Sequence, residues 1–313
     1  MSKGQSACGH AERGHRFLAR APAFAKATAR SRRSSRECRA SGGGRHQRKY
    51  PAGVGPRRQW KKVGQVSLVI TTLMVSVVRA ADHARDIVAE AQKRTDVKSQ
   101  RYEGLLQVFD GKGKIADKRW SMERLGSHGN SKAVLRFTAP AEVKGVALLV
   151  VNHPDRASDQ WMWTPAIERD RRIALQDRST RFFGTDFSFE DLEERDISQY
   201  DYALLGDEAV NGAPCWKIES TPRETKSSQY TKSVVWIRKD HYAFARIENY
   251  VKDQVVRRLQ YDDLRLVQGI WTAHVMEMAD VRRGSRTRLT LDKLEYNAPL
   301  EDESFTLQAI RRQ

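Results

Sequence analysis

The chain has 313 residues and a formal net charge of +17, a balance that would ordinarily point to nucleic acid or an anionic membrane surface. The distribution removes that reading: residues 1–80 hold 18 Lys and Arg against Glu12 and Glu37, whereas the remainder holds 38 basic and 37 acidic residues. The foldable part is close to neutral, so no nucleic-acid partner is expected.

Residues 1–62 are rich in Arg, Ser, Gly and Ala without an apolar period, a composition that cannot bury a core. Disorder is expected there. A basic arm is one account of it; a start codon set too far upstream, with translation beginning near Val54 or Val63, is a simpler one for an exported protein. Residues 63–80 read as a secretory signal: an apolar run, VGQVSLVITTLMVSVV, follows Arg57, Arg58, Lys61 and Lys62 and ends in Val78-Arg79-Ala80. The run falls short of the ~20 residues a membrane span needs, which predicts cleavage after Ala80. General and twin-arginine export both fit the basic flank. Cys8 and Cys38 precede the cut, leaving Cys215 alone, with no intramolecular disulfide and no cysteine for lipid attachment.

Residues 81–313 are expected to form one domain. Ala84, Ile87, Val88 and Ala91 recur at helical spacing behind Asp82, a plausible N-cap, which predicts an amphipathic helix over Asp82–Arg94. The period then turns to two. Strands are expected over Tyr102–Phe109 and Lys114–Leu125 around an Asp110-Gly111-Lys112-Gly113 turn, whose oxygen ligands are too few for a calcium loop. Further strands are expected at Ala133–Phe137, Val146–Val151 and Gln160–Thr164, with a short helix over Phe189–Arg195. Cys215–Glu219, Tyr230–Arg238, Ala243–Val251, Val255–Tyr261, Trp271–Met278 and Thr287–Leu294 continue the series. Turns at Asn211-Gly212, Lys239-Asp240, Lys252-Asp253, Gln268-Gly269 and Arg283-Gly284 join them tightly enough to require antiparallel neighbours. The fold class is mainly β: ten or eleven antiparallel strands with one to three helices. An open sheet of that size has to curl.

No catalytic constellation stands out. G-x-S-x-G, H-E-x-x-H and P-loop motifs are absent, the histidines after Ala80 are scattered singly, and Glu193-Glu194 and Asp262-Asp263 are adjacent pairs that a strand would split between faces. No enzyme activity, metal or cofactor is expected.

The informative block is Trp161 to Leu192. Trp161 and Trp163 are two apart, so on a strand they project from one face as an apolar wall. Arg169, Arg171 and Arg172 follow, and then Phe182, Phe183, Phe187 and Phe189 around Gly184, a flexible aromatic segment able to cover such a wall. The arginines could latch that segment through its backbone or through Asp186, Glu190 and Asp191, or they could be a solvated strand edge that discourages pairing. Leu106, Val108, Trp120, Met122, Leu135, Phe137, Leu148, Val150, Val235, Ile247, Tyr250, Val275 and Met276 join the two tryptophans as candidates for the inward face; taken singly, each is better explained by ordinary core packing than by a cavity.

The run Trp161-Met162-Trp163-Thr164-Pro165-Ala166, then Arg171-Arg172-Ile173, then FFGTDFSFEDL over 182–192 resembles the outer-membrane lipoprotein-sorting family, the LolA-like periplasmic proteins of Gram-negative bacteria. Arg136-Phe137 with Pro140, the run Gly145 to Leu149, Tyr230 with Lys232, and Trp236-Ile237 extend the resemblance over roughly residues 82 to 310. It implies an unclosed, strongly curved antiparallel barrel with helices covering an apolar cavity that accepts acyl chains. A lipid-binding surface of Trp120, Met122, Phe137, Leu148, Trp161, Trp163, Phe182, Phe183 and Phe187 is then expected, with Arg171, Arg172, Gly184 and Asp186 as lid or latch. The implied protein is a periplasmic carrier, expected to be a monomer, taking lipid or lipoprotein acyl chains from an inner-membrane transporter to an outer-membrane acceptor. A lipid-sensing regulatory module of the same fold is the alternative; such regulators carry an added C-terminal domain, and the chain ends soon after the last expected strand.

Overall fold

Helix α1 occupies residues 83–93 and follows the spacing of its apolar residues: Ala84, Ile87, Val88 and Ala91 are all buried. The computed structural model describes residues 83–224 and 228–312, which fall within one compact unit. The basic segment, the signal sequence with its cleavage point after Ala80, Cys8 and Cys38 lie outside the described residues.

Thirteen strands follow: β1 (Ser99–Asp110), β2 (Gly113–Ser127), β3 (Asn130–Ala139), β4 (Ala147–Val151), β5 (Asp159–Thr164), β6 (Arg169–Arg172), β7 (Tyr200–Val210), β8 (Ala213–Pro222), β9 (Lys232–Arg238), β10 (Phe244–Val251), β11 (Gln254–Val267), β12 (Ile270–Asp280) and β13 (Ser285–Tyr296). A five-residue helix, α2 (Leu307–Arg311), ends the described chain. The strands form one antiparallel sheet in the order β6-β5-β4-β3-β2-β1-β13-β12-β11-β10-β9-β8-β7. Two strands exceed the expected number. β6 reads Arg-Asp-Arg-Arg and has no apolar residue to show a period; β7 alternates correctly, but its apolar set is small and interrupted by Gly206. The helix expected over Phe189–Arg195 is reduced to one 3-10 turn, Glu190–Leu192.

The sheet is curled, and hydrogen bonds measure it. Gln160 on β5 donates to the Phe189 carbonyl at 3.0 Å, while Arg257 on β11 pairs with Asp191 at 2.6 Å. Seven neighbour spacings separate β5 from β11, about 34 Å in a flat sheet. The two residues from Phe189 to Asp191 reach only about 7 Å. The sheet therefore wraps into a barrel that stays unclosed, with β6 and β7 as its free edges, as the fold class expected.

Alternation sorts the side chains between faces. Leu106, Val108, Trp120, Phe137, Leu148 and Val150 form one buried cluster on the concave side of β1 to β4. On the concave side of β8 and β9, Ile218, Val235 and Ile237 meet the apolar stripe of α1. The opposite, convex face of β4 and β5 carries Ala147, Leu149, Trp161 and Trp163, which pack with Phe305, Ile310 and Leu307 at the C-terminus. A second convex cluster, Val210, Cys215, Val234, Trp236 and Ala245 with Tyr250, closes the outside of β8 to β10. The expectation of an inward tryptophan wall is thus corrected: Trp161 and Trp163 share a face, but it is the outer one, and Tyr250 is there as well. Register explains it, since Leu148 faces Met162 while Leu149 faces Trp161.

β12 and β13 pair only through Val275–Asp280 and Ser285–Thr290, although both strands continue. Beyond that point side chains replace the ladder: Gln268 accepts from the Tyr296 amide at 2.8 Å, and the Thr272 and Tyr296 hydroxyls are 2.7 Å apart.

Ile310 is fully buried beneath the convex tryptophans. Ile310→Ala is expected to destabilise the protein by about 2 to 4 kcal/mol, read as a lower urea midpoint with an unchanged m-value; a neutral result would mean that the C-terminal segment detaches freely.

Candidate functional site

The connection from β6 to β7 joins the two free edges of the sheet, and it does so across the concave side. Its aromatic part is packed into the barrel. Phe182 stacks on Phe137 at 5.4 Å between ring centroids, Phe183 meets Phe137 edge-on at 5.7 Å, and Phe189 meets Phe182 at 5.6 Å. Offset and edge-on ring pairs of this kind add to the stabilisation from apolar burial. The segment thereby plugs the half of the interior formed by β1 to β4.

Polar contacts hold the plug. Lys118 on β2 donates to the Phe183 carbonyl at 2.8 Å. Arg181 donates to the carbonyls of Thr185 (2.6 Å) and Gly184 (2.9 Å) and pairs with Asp186 at 2.8 Å. Gly184 has φ +76°, which a residue with a side chain rarely adopts, and it lets the tip turn back so that its carbonyl faces Arg181. Asp186 is wholly buried; Thr287 and Ser285 on β13 donate to it at 2.7 and 2.5 Å, and its amide donates to the Thr287 hydroxyl at 2.8 Å.

Four carboxylates follow on the same connection, each beside an arginine. Asp191 pairs with Arg257 at 2.6 Å and accepts from the Tyr230 hydroxyl at 2.7 Å, while Arg257 also donates to that hydroxyl at 2.9 Å. Glu193 lies 2.8 Å from Arg178, and Arg195 contacts Glu190 at 3.0 Å and Glu193 at 3.5 Å. Glu194 pairs with Arg124 on β2 and accepts from Ser131 at 2.8 Å. Burial raises the Glu193 carboxyl above its ordinary value against the opposing pull of Arg195 and Arg178. Burial also raises the Tyr230 hydroxyl, and the Asp191 charge adds to that shift.

Beneath these carboxylates the other half of the interior is hollow. A cavity of ≈ 370 Å³ lies between α1 and strands β7 to β12. Its apolar wall is Val88, Val235, Phe244, Ile247, Leu259, Tyr261 and Met278; its polar roof is Glu190, Asp191, Glu193, Glu194, Arg195, Tyr200 and Tyr230. The volume sits in the lower part of the ~300–1,000 Å³ range of small-molecule sites. Among the described residues no group of three His, Cys, Asp or Glu side chains is placed to hold a metal ion.

A family model described as an uncharacterised protein matches residues 129–312, more than half of the chain. The crystal structure of an outer-membrane lipoprotein-sorting protein domain from Vibrio parahaemolyticus has a TM-score of 0.70 and 28% identity, covering 74% of this chain and 100% of that one. A DUF1329 family protein from Desulfovibrio piger also has a TM-score of 0.70, with 27% identity over 74% of this chain and 99% of its own. The chain belongs to the LolA-like lipoprotein-sorting superfamily. A LolA superfamily protein from Nitrosomonas europaea shares the fold at 19% identity and TM-score 0.57, over 72% of this chain and 98% of its own. No curated protein matches the sequence.

In this LolA-like chain the expected site residues are dispersed. Trp120, Met122, Phe137 and Leu148 face the interior, but they belong to the cluster that holds Phe182, Phe183 and Phe189 and do not line the cavity. Phe187 is buried within the plug, its carbonyl accepting from the Phe182 amide at 2.8 Å. Trp161 and Trp163 lie outside. Arg171 and Arg172 are exposed and pair with Asp177 (2.5 Å) and Asp159 (2.6 Å), away from the aromatic segment, so their latch position is corrected; Asp186 and Gly184 are anchored by Arg181. Sequence reasoning missed Arg181, Arg178, Arg195 and Arg257. The one available signal was the run Glu190-Asp191-Leu192-Glu193-Glu194-Arg195, whose acids need cations if the segment is buried.

Asp186→Ala removes the acceptor shared by Arg181, Thr287 and Ser285. A loss of about 3 kcal/mol is expected, with faster amide hydrogen exchange across residues 182–189; unchanged protection there would show that ring packing alone retains the plug. Glu193 carries a sign for pH. Its folded value lies above the unfolded one near 4.3, so the folded state binds that proton more tightly, and the stability it contributes is lost as pH rises through the raised value. Glu193→Gln should flatten the decline of the urea midpoint as pH rises above the ordinary carboxylate range; an identical slope in both proteins would remove Glu193 as its source.

Proposed function

We propose that the protein is a periplasmic carrier that shields the acyl chain of a lipid or lipoprotein while it moves toward the outer membrane. The observation that supports this reading most is the hollow of ≈ 370 Å³ between α1 and the apolar wall of β9 to β12. It is a partly open hollow, apolar on one side, and unfilled where the other half of the same interior is packed with phenylalanine rings. The Vibrio parahaemolyticus domain, described as an outer-membrane lipoprotein-sorting protein, supplies the cargo class and the direction.

Apolar burial drives loading. At about 0.8 kcal/mol per methylene, a fifteen-carbon chain contributes on the order of 10 kcal/mol before ordering costs. A guest held that firmly leaves only if something takes it. The sequence has no nucleotide-binding motif, so loading depends on an inner-membrane transporter as donor and unloading on an outer-membrane acceptor with a better site. The carrier needs no chemistry of its own.

Ile247 and Val235 lie on the wall of the hollow and not in the plug. Ile247→Trp is expected to fill the space and weaken binding of a neutral fluorescent probe, N-phenylnaphthylamine, on the order of tenfold, while circular dichroism and the urea midpoint stay near the parent values. Lipid extraction and mass spectrometry of protein purified from its host should find an acylated molecule in the parent and less in the variant. Equal probe binding by the two proteins would place the guest elsewhere or deny it altogether.

A further inference from the structure

Two hairpin turns stand side by side at one end of the barrel. The β1–β2 turn and the β12–β13 turn are neighbours because β1 pairs with β13, Phe109 facing Arg286. Both are tipped with cations: Lys112 in the first, and Arg282 and Arg283 in the second, are exposed. The acids of the two turns are committed to the turns themselves. Asp110 accepts from the Lys112 and Gly113 amides at 2.8 and 3.1 Å, and Asp280 accepts from the Arg283 amide at 3.1 Å. Just behind the tips, Lys114 pairs with Asp117 at 2.8 Å and Arg286 with Glu277 at 3.4 Å. Large apolar side chains share this rim, Ile115 being 60% exposed and Val281 47%. From β2 to β12 is three strand spacings, about 14 Å. Exposed apolar residues are ordinary one at a time. Beside exposed cations on adjacent turn tips, they suit the boundary of an anionic bilayer, where apolar groups enter and cations meet phosphates.

The same rim is where the contents of the barrel are tied. Ser285 and Thr287, the start of β13, hold Asp186 at the tip of the plug, and Lys118 on β2 holds the Phe183 carbonyl. On β12, Met278 lines the hollow three residues before Val281. From this arrangement we infer that Lys112, Ile115, Val281, Arg282 and Arg283 form a docking edge for an anionic phospholipid surface. The two apolar side chains enter the headgroup boundary, and the three cations lie against phosphate. The contact goes beyond the carrier reading and does not depend on it, because a bilayer meets this rim from outside whether or not the hollow holds a guest.

The test sediments protein purified from its host with vesicles of phosphatidylcholine, alone or mixed with phosphatidylglycerol. Binding is expected to the mixed vesicles and should weaken as salt is raised. Arg282→Glu combined with Arg283→Glu is expected to weaken it at least about tenfold, and Ile115→Ser combined with Val281→Ser on the order of fivefold. Lys98→Glu, just before the opposite end of β1, should leave it unchanged. All five side chains are exposed, so circular dichroism and the urea midpoint are expected to stay with the parent. Orientation is read separately: Val281→Trp adds fluorescence that brominated phosphatidylcholine in the mixed vesicles quenches, whereas the fluorescence added by Lys98→Trp is spared. Three results overturn the inference: sedimentation of the Arg282 and Arg283 variant equal to that of the parent, equal quenching of the two added tryptophans, or no binding to the mixed vesicles. None of these measurements needs a guest, so binding of N-phenylnaphthylamine tests the carrier reading by itself, and either can fail while the other stands.

Discussion

An antiparallel sheet that curls without closing leaves two free edges and an apolar concave face open to water. The structure depends on how one connection answers both problems at once. The chain leaves edge strand β6, crosses the interior and returns at edge strand β7. Crossing an apolar interior costs free energy for every unpaired polar group, and of the seven acids on this connection five, Asp186, Glu190, Asp191, Glu193 and Glu194, lie between the aromatic tip and Arg195. The pairing of these acids with arginines, Arg178, Arg181 and Arg195 on the connection itself and Arg124 and Arg257 on distant strands, is what allows the segment to lie there. Arg124 and Arg257 come from β2 and β11, and their reach also holds the curl of the sheet.

The two halves of the interior differ for a reason visible in their side chains. Over β1 to β4 the connection presents Phe182, Phe183 and Phe189, rings large enough to fill the space above Phe137. Over β8 to β12 it presents carboxylates and an arginine, which must stay near one another and cannot descend onto Val235, Ile247 and Met278. Helix α1 covers part of that wall, but two of the four residues of its stripe, Ala84, Ile87, Val88 and Ala91, are alanines, and of the four only Val88 lines the hollow. The hollow is therefore a consequence of polarity along one segment and side-chain size along one helix.

Much of this was legible in the sequence, and the failures share a cause. Eleven strands, the opening helix and the curl follow from period-two alternation, tight turns and the limits on open sheets, all of which act over a few residues. β6 was missed because Arg169 to Arg172 has no apolar residue, and its pairing with β5 is decided by the neighbour. The tryptophans were read as a pair correctly and assigned to the wrong face, because alternation fixes which residues share a face and not which face is inside. That choice is made by Phe305 and Ile310, more than a hundred residues away, which cover the outside of β4 and β5. The arginines that hold the plug were missed for the same reason: Arg257 and Asp191 are 66 residues apart, and no spacing rule connects them.

The balance of charges in the roof has a consequence for how such a container can open. Withdrawing the connection as a unit would separate Arg257 from Asp191 and Arg124 from Glu194, leaving cations on the sheet and anions on the segment. Breaking one buried pair costs about 3 to 5 kcal/mol, so moving the whole roof is expensive. The aromatic tip is tied differently. Apart from Asp186 its anchors are backbone carbonyls accepting from Lys118 and Arg181, and Arg181 belongs to the segment itself and would travel with it. The gap where β12 and β13 stop pairing costs less still, being bridged by one amide-to-Gln268 bond and one contact between the Thr272 and Tyr296 hydroxyls. Widening there separates neutral groups that water can satisfy on both sides. That seam lies away from the hollow, whose wall on β12 is Met278, paired with Thr287 inside the ladder, so loosening it would leave both the charged roof and the apolar wall in place.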